Sequence, residues 1–212
     1  MSDIKVRGTA VVGIGAALKP AVQGNPALLP ESLHAYVAHD IDLERWYPFD
    51  DYVALVRALA GTMSPDTAKG DVYRAIGIIG ARRDLLGVHD NVPENQRPKQ
   101  SGTYRGALAG VTGLASLVKR VLHLRERYYS RRYYKVRRIA DRRLEVTLHE
   151  FPACAELCAV STGYMIQAFR SSLTAGVWVE RVSCRGDGDH DCRWELIFDD
   201  ATDVTDLGMF PH

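Results

Sequence analysis

The chain has 212 residues, 46% of them hydrophobic and 25% charged, with a formal net charge of +1. That length and apolar content suit one globular domain with a sizeable core, and the near-zero charge removes any global bias toward polyanions or acidic membrane surfaces. No apolar run approaches the roughly 18 residues of a membrane span, and the opening "MSDIKVRGTAVVGIGAALKP" lacks the layout of a secretory leader. The chain is therefore read as cytoplasmic and without a membrane partner. Its four cysteines are read as thiols or metal ligands, because the cytosol keeps thiols reduced.

From the N-terminus, "VRGTAVVGIGAAL" mixes glycine with small apolar residues, and its Gly13-x-Gly15 is an incomplete nucleotide fingerprint with no acidic partner downstream. "NPALLPESLHAYVAHD" predicts a helix opened by Pro30 and Glu31, with Leu33, Tyr36 and Val37 on one face, broken by Trp46, Tyr47 and Pro48. "FDDYVALVRALAGTM" places Tyr52, Leu55, Val56 and Leu59 at helical spacing and closes at Gly61. "SPDTAKGDVYRAIGIIGARRDLLG" predicts one or two further helices, with Gly77 and Gly80 permitting close packing. "VHDNVPENQRPKQSG" reads as a polar loop, and "YRGALAGVTGLASLVKRVLHLRERYYS" resumes the helical period.

After residue 130 the period changes. "RLEVTLHEF" alternates Leu144, Val146 and Leu148 with polar residues, as a strand with one wet face does. A helix follows Pro152, and "GVWVERVSC" and "CRWELIF" form a hairpin around a turn rich in Gly and Asp. Strict alternation puts Cys192, Trp194, Leu196 and Phe198 on one face of the second strand, and Trp178, Glu180, Val182 and Cys184 on one face of the first. The turn itself, "CRGDGDHDC", admits a metal clip, a redox pair, a calcium loop or a plain hairpin tip. A calcium loop fits poorly: Asp187, Asp189 and Asp191 alternate as its ligands do, but Cys192 stands where its glycine belongs and its final glutamate is missing. The plain account has Gly186 and Gly188 at positive φ, with the aspartates bonding local backbone.

The run of strand "LEVTLHEF", helix "CAELCAVSTGYMIQAF" and hairpin "VWVERVSCRGDGDHDCRWELIF" resembles the C-terminal half of the four-vinyl-reductase type of small-molecule sensory domain. The upstream "LERWYPFDDYVALVRAL" resembles an uncharacterised family known mainly from myxobacteria that shares the hairpin signature. The superfamily also holds haem-based nitric-oxide sensor domains and a Golgi transport-complex subunit fold. The resemblance implies an α+β fold for a single domain over residues 1–212, in which a mainly helical part (1–129) precedes a strand-helix-hairpin part (130–200) and a loose acidic tail (201–212).

In the phenol-sensing relatives this signature holds a structural zinc through three cysteines and a glutamate. Cys158, Cys184 and Cys192 match the three cysteines, whereas the glutamate position is Arg181, a departure from the pattern. Cys154, one helical turn before Cys158, is the candidate replacement. Four thiolates would make a closed structural site; the plain alternative is four small buried hydrophobes, and a cross-hairpin disulfide is a third. "YYSRR" matches the Tyr-x-Ser-x-Arg propionate motif of the nitric-oxide sensors through Tyr128, Ser130 and Arg132, with His123 just before it. In those sensors the motif follows the strand corresponding to "LEVTLH" and the axial histidine lies further upstream, so no haem is expected.

Residues 119–143 carry eleven Lys or Arg and four tyrosines. Such a segment suits phosphate neutralisation and base stacking, which makes nucleic-acid binding the alternative function; a solvated face whose arginines pair with acids is the plainer account. No Gly-x-Ser-x-Gly, His-Glu-x-x-His or complete phosphate loop is present, and His34, His39 and His89 stand in no catalytic context. The reading is a non-enzymatic sensory or scaffold module in bacterial signalling that docks to a partner protein. Its ligand is a small apolar or aromatic molecule, with Tyr164 and Trp178 as pocket candidates. A homodimer is expected, with "AVVGIGAAL" as the interface segment.

Overall fold

The computed structural model describes residues 3–63, 69–86, 118, 121–123, 127–131, 134–140, 142–149, 151–172 and 176–199. The predicted loop after residue 87, most of the helix expected before residue 123 and the acidic tail lie outside the described residues.

Strand β1 (Lys5–Arg7) pairs antiparallel with β2 (Trp46–Pro48), Val6 opposite Tyr47. Val6 also bridges to Tyr129, and Arg7 donates its backbone N–H to the carbonyl of Tyr128. These three-residue strands escape the sequence reading because an alternation needs more residues to show. The glycine-rich N-terminal segment is helix α1 (Gly8–Gly24). Its apolar residues Val11, Val12, Ile14 and Leu18 are buried in the chain's own core, so "AVVGIGAAL" is not an exposed interface segment and gives no ground for a dimer.

Residues 25–41 differ from the single predicted helix. Two short 3-10 turns at Pro26–Leu28 and Glu31–Leu33 lead into a one-turn helix α2 (Ala35–Ala38), because Pro30 has extended backbone (φ −53°, ψ 141°) and interrupts the winding. Leu29, Leu33, Val37 and Ile41 still turn inward. Helix α3 (Phe49–Met63) opens with Asp50 and Asp51, carboxylates that suit a helix N-terminus, and buries Tyr52, Val53, Leu55 and Val56.

Helix α4 (Lys69–Leu86) and helix α5 (Ala155–Ser172) cross with their backbones in close approach. A Cβ on Gly77 would stand 1.9 Å from the carbonyl oxygen of Val160, and one on Gly163 would stand 1.9 Å from that of Arg74. Each helix thus yields one glycine to the other. Gly80 plays no such part, since its Cβ would meet open space.

The C-terminal part is a four-stranded antiparallel sheet in the order β3-β4-β6-β5, built from Tyr134–Ala140, Arg143–Leu148, Cys192–Phe198 and Val177–Ser183. One face is wet; the other packs Leu144, Val146, Trp194 and Leu196 toward Leu157 and Phe169 of α5, all fully buried. The indole N–H of Trp194 donates to Thr162 Oγ1, which itself donates to the carbonyl of Cys158, so the largest buried side chain leaves no donor unpaired. No helix among the described residues is long and apolar enough to cross a membrane.

Candidate functional site

Three of the four cysteines converge. The sulfur atoms of Cys158 on α5, Cys184 before the hairpin turn and Cys192 on β6 lie within 4.8 Å of one another, and all three side chains are buried. Cys158 Sγ is 2.9 Å from Cys192 Sγ. No fourth His, Cys, Asp or Glu donor among the described residues joins them. Cys154 lies outside the group: its thiol donates to Glu156 Oε2 at 3.2 Å, and burial pushes its pKa up to about 12.

The arrival of Cys184 depends on an irregularity that strict alternation does not foresee. Arg181 faces Trp194 and Ser183 faces Arg193, so Val182 is an extra residue in β5, a bulge. Trp178, Glu180 and Val182 are exposed on the outer side. After the bulge the parity reverses, and Cys184 turns inward to 1% exposure rather than sharing the face of Trp178. On β6 the expected face of Cys192, Trp194, Leu196 and Phe198 is fully buried.

The turn is held by short bonds. The Cys184 backbone N–H donates to Asp189 Oδ2 at 2.7 Å, and a 3-10 turn spans Arg185–Asp187. Gly188 has φ 101°, the left-handed region, whereas Gly186 is needed for space, since its Cβ would stand 2.2 Å from the amide nitrogen of Ala155 at the start of α5. Arg181, in the place of the expected glutamate, pairs with Asp187 at 3.0 Å. Asp191 takes hydrogen bonds from His149 and His190. Each aspartate is committed to a different partner, and no calcium loop forms.

Inside the triad the thiols share protons unequally. Cys192 falls to about 7, chiefly because Cys158 donates a hydrogen bond to it, with the Arg185 backbone N–H also pointing at its sulfur. Cys158 is driven up by donating to Cys192 and by burial. Thiolate is the ligating form. Three sulfurs within 4.8 Å fit a single thiophilic ion at sulfur-to-zinc distances of about 2.3 Å.

Other predicted residues are dispersed. Tyr164 is buried on α5, but Trp178 is 61% exposed on the outer face of β5, its indole N–H donating to Asp199. Trp178 therefore does not line an interior space, and the structure does not bring the two together. Tyr128 and Ser130 are engaged within the fold, Tyr128 with the Asp84 carboxylate and Ser130 with the backbone N–H of Lys5; as placed they do not form a propionate clamp. In the basic segment Tyr128 and Tyr129 are buried, and Arg137 and Arg143 pair with Glu145 and Glu195. Those tyrosines offer no stacking platform. His34 turns its Nε2 to the carbonyls of Pro26 and Leu29, in a structural role, and His89 lies outside the described residues.

No family model and no curated protein matches the chain. Solved structures do. An H-NOX protein from S. oneidensis, in an Fe(II)NO ligation state, superposes with a TM-score of 0.55 at 14% identity, covering 89% of this chain and 99% of that one. The unliganded Fe(II) H-NOX protein from K. algicida gives 0.55 at 12% identity, over 92% and 97%. A structure solved to probe haem distortion in the H-NOX family gives 0.57 at 13% identity, over 97% and 98%. The fold of this chain is that of H-NOX domains.

Proposed function

We propose, on the premise of this H-NOX fold, that the chain is a sensory ligand-binding domain in signalling that works by docking to a partner and does no chemistry of its own. The observation that carries the reading is the extent of the likeness: it takes in nearly all of this chain and nearly all of each sensor domain. Such a fold packs helices against one face of a sheet, an arrangement that suits an enclosed apolar site. The conserved geometry is of the domain as a whole, while the motif that would grip a haem propionate in the related sensors has its tyrosine and serine engaged elsewhere here.

Cys158, Cys184 and Cys192 would hold a zinc ion with a structural role. Bound there, the metal joins α5 to the hairpin and adds its binding energy to folding. The neighbouring turn supports this use, since Asp189 accepts the Cys184 backbone N–H and the Arg185 N–H points at the Cys192 sulfur.

Native mass spectrometry of the purified full chain, with elemental analysis and an absorbance spectrum, tests the reading. The expected result is one zinc and a retained small molecule, or a melting temperature raised by members of an apolar and aromatic compound set. Protein that retains no small molecule and shifts with none of the set would contradict the sensory reading.

A further inference from the structure

The buried thiols stop one donor short of a closed tetrahedral site. Cys158, Cys184 and Cys192 bring their sulfurs within 4.8 Å of one another, and among the described residues no fourth His, Cys, Asp or Glu joins them. Cys154, on the same helix as Cys158, gives its thiol to Glu156. The aspartates of the turn are committed as well: Asp187 pairs with Arg181, Asp189 accepts the Cys184 backbone N–H, and Asp191 accepts from two histidines. Water has little access, since none of the three cysteines is more than 2% exposed.

Charge points the same way. Thiolate is the ligating form, so zinc(II) on three thiolates keeps one net negative charge and copper(I) keeps two, inside a site where an uncompensated charge is costly. Arg185 acts on Cys192 electrostatically but spends its guanidinium on the carbonyl of Phe151. Trivalent arsenic differs on both counts. Three sulfurs complete its coordination, a lone pair occupies the fourth direction, and its three-thiolate complex is neutral. The sulfurs are held by α5, the turn and β6, so capture orders no new segment.

We infer that Cys158, Cys184 and Cys192 together take up trivalent arsenic, in preference to zinc, as a neutral three-coordinate complex. Arsenous acid supplies the ion: three As–O bonds break, three As–S bonds form, and the thiol protons leave with the hydroxyls as three waters. Arsenic stays trivalent, so no oxidant or reductant is needed. Where zinc is already bound it leaves as the divalent ion, and the three protons come from solvent. The inference rests on the metal-site reading above for its ligands, but not on zinc being the ion bound.

Full-length protein, stripped of metal by a chelator and reduced with a phosphine, is titrated with sodium arsenite, with zinc, and with the two at equal concentration. Native mass spectrometry should show a gain of one arsenic less three hydrogens per chain, and reactive thiols should fall from four to one. Equimolar zinc should leave the arsenic uptake unchanged. Cys158→Ser, Cys184→Ser and Cys192→Ser should each bind arsenic about a hundredfold or more weakly, because the lost thiol acted at high effective concentration. Should those variants fail to fold by circular dichroism, Cys154→Ser keeps the test: it should bind one arsenic and lose all its remaining reactive thiols. Zinc uptake without arsenic uptake overturns the inference and leaves the zinc reading standing. Arsenic uptake without zinc uptake does the reverse. Arsenic bound through Cys154, or abolished by equimolar zinc, overturns the inference as well.

Discussion

The thiol of Cys158 on α5 stands 2.9 Å from that of Cys192 on β6, across the contact between helix and sheet. Tetrahedral zinc with sulfur at about 2.3 Å spaces its sulfurs by about 3.8 Å, so metal entry needs only a side-chain adjustment. Purified protein should carry one zinc per chain by elemental analysis. Cys158→Ser, Cys184→Ser and Cys192→Ser should each lose it, and Cys154→Ser, whose thiol faces Glu156, should keep it. A chelator should lower the melting temperature of the wild type and leave the Cys192→Ser protein unchanged.

The bulge at Val182 makes a separate claim. Deleting that residue removes the bulge but leaves Ser183 opposite Arg193, so position 184 still turns inward beside Cys192. The shortened protein should therefore retain its zinc while its far-ultraviolet dichroism keeps the strand signal. Loss of the zinc would refute this register.

At the α4–α5 crossing, Gly77→Val and Gly163→Val should each destabilise by about 3 kcal/mol or more, because a side chain must displace backbone rather than another side chain. Gly80→Ala, facing open space on the same helix, should be neutral or stabilise by up to about 1 kcal/mol. Urea denaturation of the three variants checks the contrast.

Much of this was readable without coordinates. The α+β division, the strand at Leu144 to Leu148, the helix carrying Cys158 and the hairpin all follow from hydrophobic period, because each element is long enough to repeat its pattern. The convergence of Cys158, Cys184 and Cys192 rests instead on a family resemblance, since nothing in spacing alone brings a helix to a turn. What escaped had physical reasons. Strands of three residues carry no period; the Val182 bulge changes parity without changing composition; and the roles of Gly13, Gly77 and Gly186 are set by what approaches them from distant parts of the chain. The exposure of Trp178 shows the converse error, in which a large aromatic was assigned to the interior by type, although it lies on the wet face of an edge strand.

Acid should weaken the junction between α3 and α5. Burial raises the pKa of Glu156, but the hydrogen bond from Arg57 Nε at 2.7 Å, its own backbone and the Cys154 thiol together bring it below the usual carboxylate value. A depressed folded-state pKa gives stability that is complete above the unfolded value and lost as pH falls through the folded one. The wild type should therefore exceed Glu156→Gln by about 1 kcal/mol at neutral pH, a modest figure because Arg57 is half exposed. The gap should close over the acid range, as pH falls below the ordinary carboxylate value. A constant gap in thermal melts across that range would refute the assignment.

Residues 119–143 should not bind nucleic acid. Tyr128 and Tyr129 are inside, and Arg137 and Arg143 face Glu145 and Glu195. Anisotropy with single- and double-stranded probes at about 20 mM salt should show no saturable binding. Tight binding that weakens steeply by about 200 mM salt would reinstate the alternative.

The clasp at the N-terminus has a consequence for synthesis. Lys5 exchanges backbone and side-chain hydrogen bonds with Ser130, and Val6, fully buried, bridges to Tyr129. The partners are 125 positions apart at Lys5 and Ser130, so β1 emerges from the ribosome long before its second neighbour exists. At roughly 5–20 residues per second, Val6 waits on the order of ten seconds with only the β2 side available to cover it. Nascent chains stalled before residue 128 should therefore recruit holding chaperones at their N-termini and release them once the clasp segment has emerged from the tunnel.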